Sequence, residues 1–323
     1  MQATIMDETN TVSLPRGPAR LGPIATWMQA SRAWTLAMPF MSVSVGTAAA
    51  LRNGFFSPWT YVGAAVGAVA LQAGANMVND YYDFVNGTDS ADWNAPESFG
   101  PGLVIQQGLL RPEQVWWGGI VALIFGSALG LILVAVCGWP VLVLGLLGVA
   151  GAYFYTGAPL RLAYRGLGDL MVFTLMGPGY VLGAYYVQAL SFSPTALVAS
   201  LPMGFLCSGV LQANNLRDIE NDRAHGKHTF AVLIGRKAAI IELICSDLGA
   251  YIATIAGVIA KVLPWPALAV IITSPRAIDQ IRLVSPGANA ESHNRAMNRS
   301  GQLQFELGLV LVIAFVLGRL FGW

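Results

Sequence analysis

The sequence predicts an all-α integral membrane protein with about nine transmembrane helices. Composition is the first ground: of 323 residues, 55% are hydrophobic and 11% charged, against about 25% charged in soluble domains. Clustering is the second, because the apolar residues gather in runs long enough to cross roughly 30 Å of hydrocarbon. Charge placement is the third. All but Arg52, Lys261 and Arg319 of the 18 Lys and Arg residues fall in the leader or in alternate connections. The positive-inside rule then puts the N-terminus and the long loops in the cytoplasm and the C-terminus on the opposite side. A net charge of +1 argues against nucleic acid as a partner.

Residues 1–33 are polar and contain Pro and Gly, without the short apolar core and small-residue cleavage site of a signal peptide. They read as a leader ending in an interfacial segment, "IATWMQASRAW", before one transmembrane domain over 34–323. The apolar runs predict spans at 34–51, 58–78, 114–136, 139–156, 169–189, 194–213, 238–260, 263–283 and 303–321. The eighth has only a short apolar core, "ALAVIIT", followed by Pro275 and an amphipathic stretch with Arg276, Asp279 and Arg282. Eight spans and an interfacial helix is the alternative there. Cys137, Cys207 and Cys245 all fall in apolar runs, lack metal-type spacing and read as small buried hydrophobes.

The polar residues concentrate at two helix ends. In "NMVNDYYD" (76–83), Asn76, Asp80 and Asp83 recur at i, i+4 and i+7, on one face of a continuing helix. In "LQANNLRDIENDRAHGKHT" (211–229), Asn214 and Asp218 repeat the Asn-x-x-x-Asp unit, and Asp222 follows. The match predicts an internal repeat of spans 1–4 and 5–8, each contributing one acidic helix end. One such cluster is ordinary helix punctuation; two on the same membrane face are not, given the cost of carboxylates at membrane depth. Four carboxylates drawn together repel unless a divalent cation intervenes. Hard oxygen ligands in pairs suit Mg²⁺, which shares its shell with phosphate oxygens. The loop at 79–113 adds Asp89, Asp92, Glu97 and Glu113 against Arg111 alone, another place where a cation is expected.

Cations surround the second cluster: Arg217, Arg223, Lys227, His228, Arg236 and Lys237, with Arg161 and Arg165 in "PLRLAYRGLGD". Arginine pairs bidentately with phosphate oxygens and lysine acts as a point charge. Lys227, in the "HGK" turn after Asp222, is the better phosphate contact; loop bias accounts for Arg236 and Lys237 equally well. Together these residues predict a diphosphate held through Mg²⁺ between two helix ends.

Three blocks resemble the UbiA superfamily of intramembrane prenyltransferases: "NMVNDYYDFVNGTD", "NNLRDIENDRAHGKHT" and "YFYTGAPLRLAYRGLGDLMVFTLMGPGYVLGAYYVQ". The third resembles the MenA branch, which prenylates 1,4-dihydroxy-2-naphthoate, and the likeness runs over most of 30–320. The sequence departs from that pattern at "GPGLVIQQGLL", where a basic residue is expected near Leu103, and in the longer, more acidic "SADWNAPESFG". The resemblance implies a UbiA-like bundle around a central cavity in the inner (cytoplasmic) membrane. It implies Mg-dependent transfer from a polyprenyl diphosphate to an aromatic acid, with decarboxylation to demethylmenaquinone. Asp80 and Asp83 are then expected on one Mg²⁺ and Asp218 and Asp222 on a second, the ions bridged by diphosphate. Asn76 and Asn214 are expected to orient the carboxylates, Arg217, Lys227 and Arg165 to bind diphosphate, and Tyr155 to donate a hydrogen bond near the reacting ends. Tyr153, Tyr155 and Phe173 are expected along the tail tunnel. A 4-hydroxybenzoate, homogentisate or chlorophyllide-type acceptor is the near alternative. A secondary transporter is the distant one, disfavoured because the carboxylates sit at one face rather than mid-span.

Overall fold

The computed structural model describes residues 21–89, 103–285, 288 and 290–322. The leader as far as residue 20 and the whole acidic "SADWNAPESFG" stretch, with Asp92 and Glu97, lie outside the described residues. Twelve α-helices follow in order: α1 Pro23–Ala30, α2 Ala37–Arg52, α3 Pro58–Val85, α4 Pro112–Cys137, α5 Trp139–Phe154, α6 Gly168–Thr174, α7 Tyr180–Ala189, α8 Pro194–Ala224, α9 Phe230–Ile234, α10 Arg236–Ile259, α11 Ser274–Leu283 and α12 Ala290–Phe321. A π-turn, Leu175–Gly179, encloses Pro178 and joins α6 to α7 as one apolar span, the kind of local widening that relieves a missing proline N–H. Among the described residues, seven helical segments are long and apolar enough to cross a membrane, and the apolar α5 is shorter.

The two motif helices run further than the apolar pattern predicts. The spans expected to end at 78 and 213 continue to Val85 and Ala224, so both acidic clusters are helical rather than in loops. Each begins on a serine cap followed by proline at the first helical position, Ser57–Pro58 and Ser193–Pro194. The expected eighth span is broken: a 3-10 segment, Trp265–Thr273, precedes α11, with Pro264, Pro266 and Pro275 removing the donors a continuous helix needs. The last helix starts well before 303, at Ala290.

Glycine sets the helix spacing where backbones nearly touch. A Cβ on Gly74 of α3 would lie 2.9 Å from the Gly119 carbonyl of α4, and one on Gly46 of α2 would lie 2.2 Å from the Val181 carbonyl of α7. The main core joins α2, α7, α8, α10 and α12 through Met41, Val45, Tyr185, Met203, Leu307 and Phe315. Cys137 and Cys207 are buried as expected, but Cys245 is exposed on α10.

A cavity of about 510 Å³ lies beside this core, within the usual range for a small-molecule site. Its apolar walls come from α3, α4, α5 and the α6–α7 span, from Gly63 near one end of α3 to Asp83 near the other, about 30 Å along the helix at 1.5 Å per residue. The far end is a small apolar cluster of Cys137, Val141 and Val187.

Candidate active site

The charged end of the cavity is where the ends of α3 and α8 meet the turns that follow them. On α3, Asn76, Asn79, Asp80 and Asp83 are all buried, a placement that needs a partner for every polar group. Gly226, at φ +71°, reverses the chain after α8, and the Lys227 N–H returns to the Asp222 carbonyl at 2.8 Å. This turn sends Lys227 back over the helix end. Its Nζ donates to Asp83 Oδ2 at 2.9 Å and lies 3.8 Å from Asp222 Oδ1, so the second motif's lysine neutralises both clusters.

Asp83 is the most densely held carboxylate. Asn79 Nδ2 donates to its Oδ2 at 2.8 Å and the Tyr164 hydroxyl to its Oδ1 at 2.7 Å. Asp80 pairs with Arg32, the residue between α1 and the turn into α2, while its Oδ2 is buried without a partner. Arg32 holds a left-handed backbone, φ 51°, uncommon for a side chain of its size. Asp222 accepts from Thr229 Oγ1 at 3.5 Å. Asp218 is gripped bidentately by its neighbour Arg217, at 2.7 and 2.5 Å, and Arg217 also donates to Asn214 at 3.0 Å and to Asn294 at 3.2 Å. Asn76 does not touch an aspartate: it donates to the Ser31 carbonyl and Thr35 Oγ1, both at 2.8 Å, fixing the chain on either side of Arg32.

Three connections close over this cluster. Asn221 donates to the Thr88 carbonyl at 2.8 Å, Thr88 Oγ1 lies 2.9 Å from the Tyr164 hydroxyl, and Arg165 and His228 form a parallel backbone bridge. Electrostatics follow the packing. Burial pulls the Lys227 ammonium down, but Asp83 and Asp222 outweigh it and hold its pKa well above the ordinary lysine value. Arg32 is likewise raised, burial being offset by Asp80, Asp89 and Asp83. Burial, then the like charge of Asp83, pushes Asp89 up to about 6. Tyr164 and Tyr155 are raised mainly by burial.

Of the residues singled out from sequence, Asp83, Asp218, Asp222, Asn76, Asn214, Arg217, Lys227 and Tyr155 line the cavity. Asp80 sits behind Arg32. Arg165 is the outlier, with its guanidinium exposed and reaching the Pro159 carbonyl at 3.4 Å. Tyr153 and Phe173 do not line the tunnel as expected: Tyr153 bonds the Tyr82 hydroxyl at 2.9 Å, and Phe173 packs edge-on against Phe205. Sequence reading missed Arg32, Asn79, Thr88 and Tyr164. Arg32 lay in a segment read as leader, and only its position just before the first span hinted at the site. Leu103, where a basic residue was expected, does reach the cavity.

The carboxylates, expected in pairs on two ions, do not form one bare group. Among the described residues, no three Asp, Glu, His or Cys side chains come together to hold a metal unaided. Cationic side chains keep the carboxylates apart. Mg²⁺ commonly takes one or two carboxylates and completes its shell with water and substrate phosphate, and the unpartnered Asp80 Oδ2 beside Asp83 fits that donor set.

A helical membrane bundle whose apolar cavity ends in buried carboxylates, lysine and arginine defines an intramembrane protein with a charged site at one end of an apolar pocket. The chain belongs to the UbiA prenyltransferase family, whose profile matches residues 38–301. The 1,4-dihydroxy-2-naphthoate octaprenyltransferase of Bacillus subtilis is 28% identical over 313 residues, covering 97% of this chain and 99% of that protein. The 1,4-dihydroxy-2-naphthoate octaprenyltransferase of Mycobacterium tuberculosis is 30% identical over 300 residues, covering 93% and 100%. The structure of a UbiA homolog from Archaeoglobus fulgidus bound to GPP and Mg²⁺ shares the fold, with a TM-score of 0.56 and 15% identity over 89% of this chain and 99% of that one.

Proposed function

We propose that this chain transfers a polyprenyl group from an allylic polyprenyl diphosphate to 1,4-dihydroxy-2-naphthoate in the cytoplasmic membrane. The observation that carries the reading is Lys227 bridging Asp83 and Asp222 at the mouth of an apolar cavity that runs the length of α3. The acceptor is supported by the relatives, which match over nearly their whole length. The positive-inside pattern supports a cytoplasmic N-terminus and active-site face, with the C-terminus opposite.

Asp80 and Asp83 would hold one Mg²⁺, and Asp218 and Asp222 a second. When bound, the metal supplies Lewis-acid stabilisation of the leaving diphosphate. Lys227 and Arg217 bind the diphosphate, and Arg32 adds a third cation at the same mouth. Asn76 acts by fixing the Arg32 segment, and Asn214 by orienting Arg217. Arg165, on the exposed rim, meets diphosphate on its way in. Tyr155, which lines the same cavity, would act as a hydrogen-bond donor near the reacting ends. The apolar walls exclude water from the allylic cation formed as the C–O bond to diphosphate breaks. The electron-rich ring carbon bearing the carboxylate attacks that cation, a C–C bond forms, and CO₂ leaves as the ring regains aromaticity. The immediate product is the quinol, which a separate oxidation converts to demethylmenaquinone.

The test is the product mass from purified protein supplied with Mg²⁺, prenyl diphosphates of several lengths and each aromatic acid in turn. A decarboxylated prenyl-naphthalenediol supports the reading. Prenylated 4-hydroxybenzoate or homogentisate instead moves the chain to another acceptor, and no prenylated product from any acceptor overturns it.

A further inference from the structure

Asp83 offers about four lone-pair positions as a carboxylate. Asn79 and Lys227 occupy both on Oδ2, at 2.8 and 2.9 Å, and the Tyr164 hydroxyl takes one on Oδ1, at 2.7 Å. Among the described residues, one position on Oδ1 stays open, next to Tyr164. The tyrosine has a single proton to give. As a carboxylate Asp83 can only accept, so that proton goes to it; Asn86 Nδ2 donates to the tyrosine oxygen at 3.3 Å, and Thr88 Oγ1, 2.9 Å away, is left to donate as well. The same ring lies under Lys227, with Nζ 5.5 Å from its centroid, so it also favours the ammonium where it stands. One side chain from the connection between α5 and α6 thus touches the acid of the first motif and the base of the second.

We propose that Tyr164 is a positioning residue that sets the open lone pair of Asp83 and the ammonium of Lys227 in register for a divalent cation carrying diphosphate. This role rests on the diphosphate reading above. A partner that orients a ligating carboxylate changes metal affinity about 10–100-fold when removed, whereas a residue that only packs changes stability.

The test titrates full-length protein in detergent with Mn²⁺ in the presence of inorganic pyrophosphate, following free Mn²⁺ by electron paramagnetic resonance. Tyr164→Phe is expected to weaken Mn²⁺ binding about tenfold or more in a chain that still folds, with a modest fall in the metal-free melting temperature from the lost bond to Asp83. Thr88→Val, which removes one donor that aims the tyrosine proton and touches neither Asp83 nor Lys227, should weaken binding in the same direction by less. Wild-type Mn²⁺ affinity in Tyr164→Phe overturns the positioning role alone. If that variant does not fold, wild-type affinity in Thr88→Val does so. A wild-type chain that binds no Mn²⁺ with pyrophosphate overturns the diphosphate reading and the role of Tyr164 with it.

Discussion

Lys227 donates to Asp83 across 144 residues of sequence, at 2.9 Å, with both side chains almost fully buried. The contact joins the two acidic motifs into one site, and it neutralises charge that neither helix end can bury alone. Removing one partner of a buried pair leaves the other uncompensated, at a cost of about 3–5 kcal/mol. Lys227→Met should therefore lower the melting temperature and cut kcat/KM for prenyl diphosphate by at least about 100-fold. Steady-state kinetics at saturating acceptor check the second effect, which would be absent if the lysine only stabilised the fold.

Arg32 and Asp80 form a second such pair, and this separates folding from catalysis. Arg32→Met should destabilise by about 3–5 kcal/mol, and adding Asp80→Asn should recover most of that. Turnover should not return in the double variant. Asp218 is the cleaner catalytic probe, because its side chain is 25% exposed against 4% for Asp80, so removing it disturbs folding less. Asp218→Ala should abolish turnover in a chain that still folds; normal turnover would remove Asp218 from the site.

Asp89 predicts a pH dependence. Its pKa is about 6 in the folded chain and about 4 when unfolded. Between those values the folded chain holds a proton that the unfolded chain releases. The associated stability is complete below about pH 4 and is lost as pH rises through about 6. Asp89→Asn should flatten the melting temperature over that window relative to wild type, as thermal unfolding at a series of pH values will show.

The tunnel wall offers a test of donor length. Gly145 and Gly148 of α5 line the cavity, and a Cβ on either meets nothing within 4 Å. Gly in a helix interior costs about 0.8–1 kcal/mol relative to Ala, so helix packing does not explain these two. Gly148→Leu should keep or raise the melting temperature while cutting turnover of long-chain donors far more than of geranyl diphosphate. Competition between donors of different length, read by product mass, measures this directly.

The site was legible where chemistry repeats at helical spacing. Asn76, Asp80 and Asp83 announce one helical face, and Asn214, Asp218 and Asp222 announce another. The helix ends were misplaced because hydropathy stops where the polar face begins, although the backbone there continues as helix. Arg32 and Tyr164 escaped because neither belongs to a repeating pattern: one follows the short α1, the other lies in a loop. The exposure of the Arg165 guanidinium, which reaches the Pro159 carbonyl beside the Arg165–His228 backbone bridge, has no signal in its motif.

The sequence by itself determined a helical membrane protein with its charge on one face and two acidic helix ends, because hydropathy and side-chain periodicity are local properties of the chain. Tertiary structure alone decided that Arg32 meets Asp80 and that Lys227 lies between Asp83 and Asp222, while Arg217 holds its own neighbour Asp218. It also decided that an apolar cavity along α3 opens onto them. The physical reason is distance: burying a carboxylate requires a partner charge within a few ångströms, and for Asp83 that partner is supplied by a turn 144 residues away.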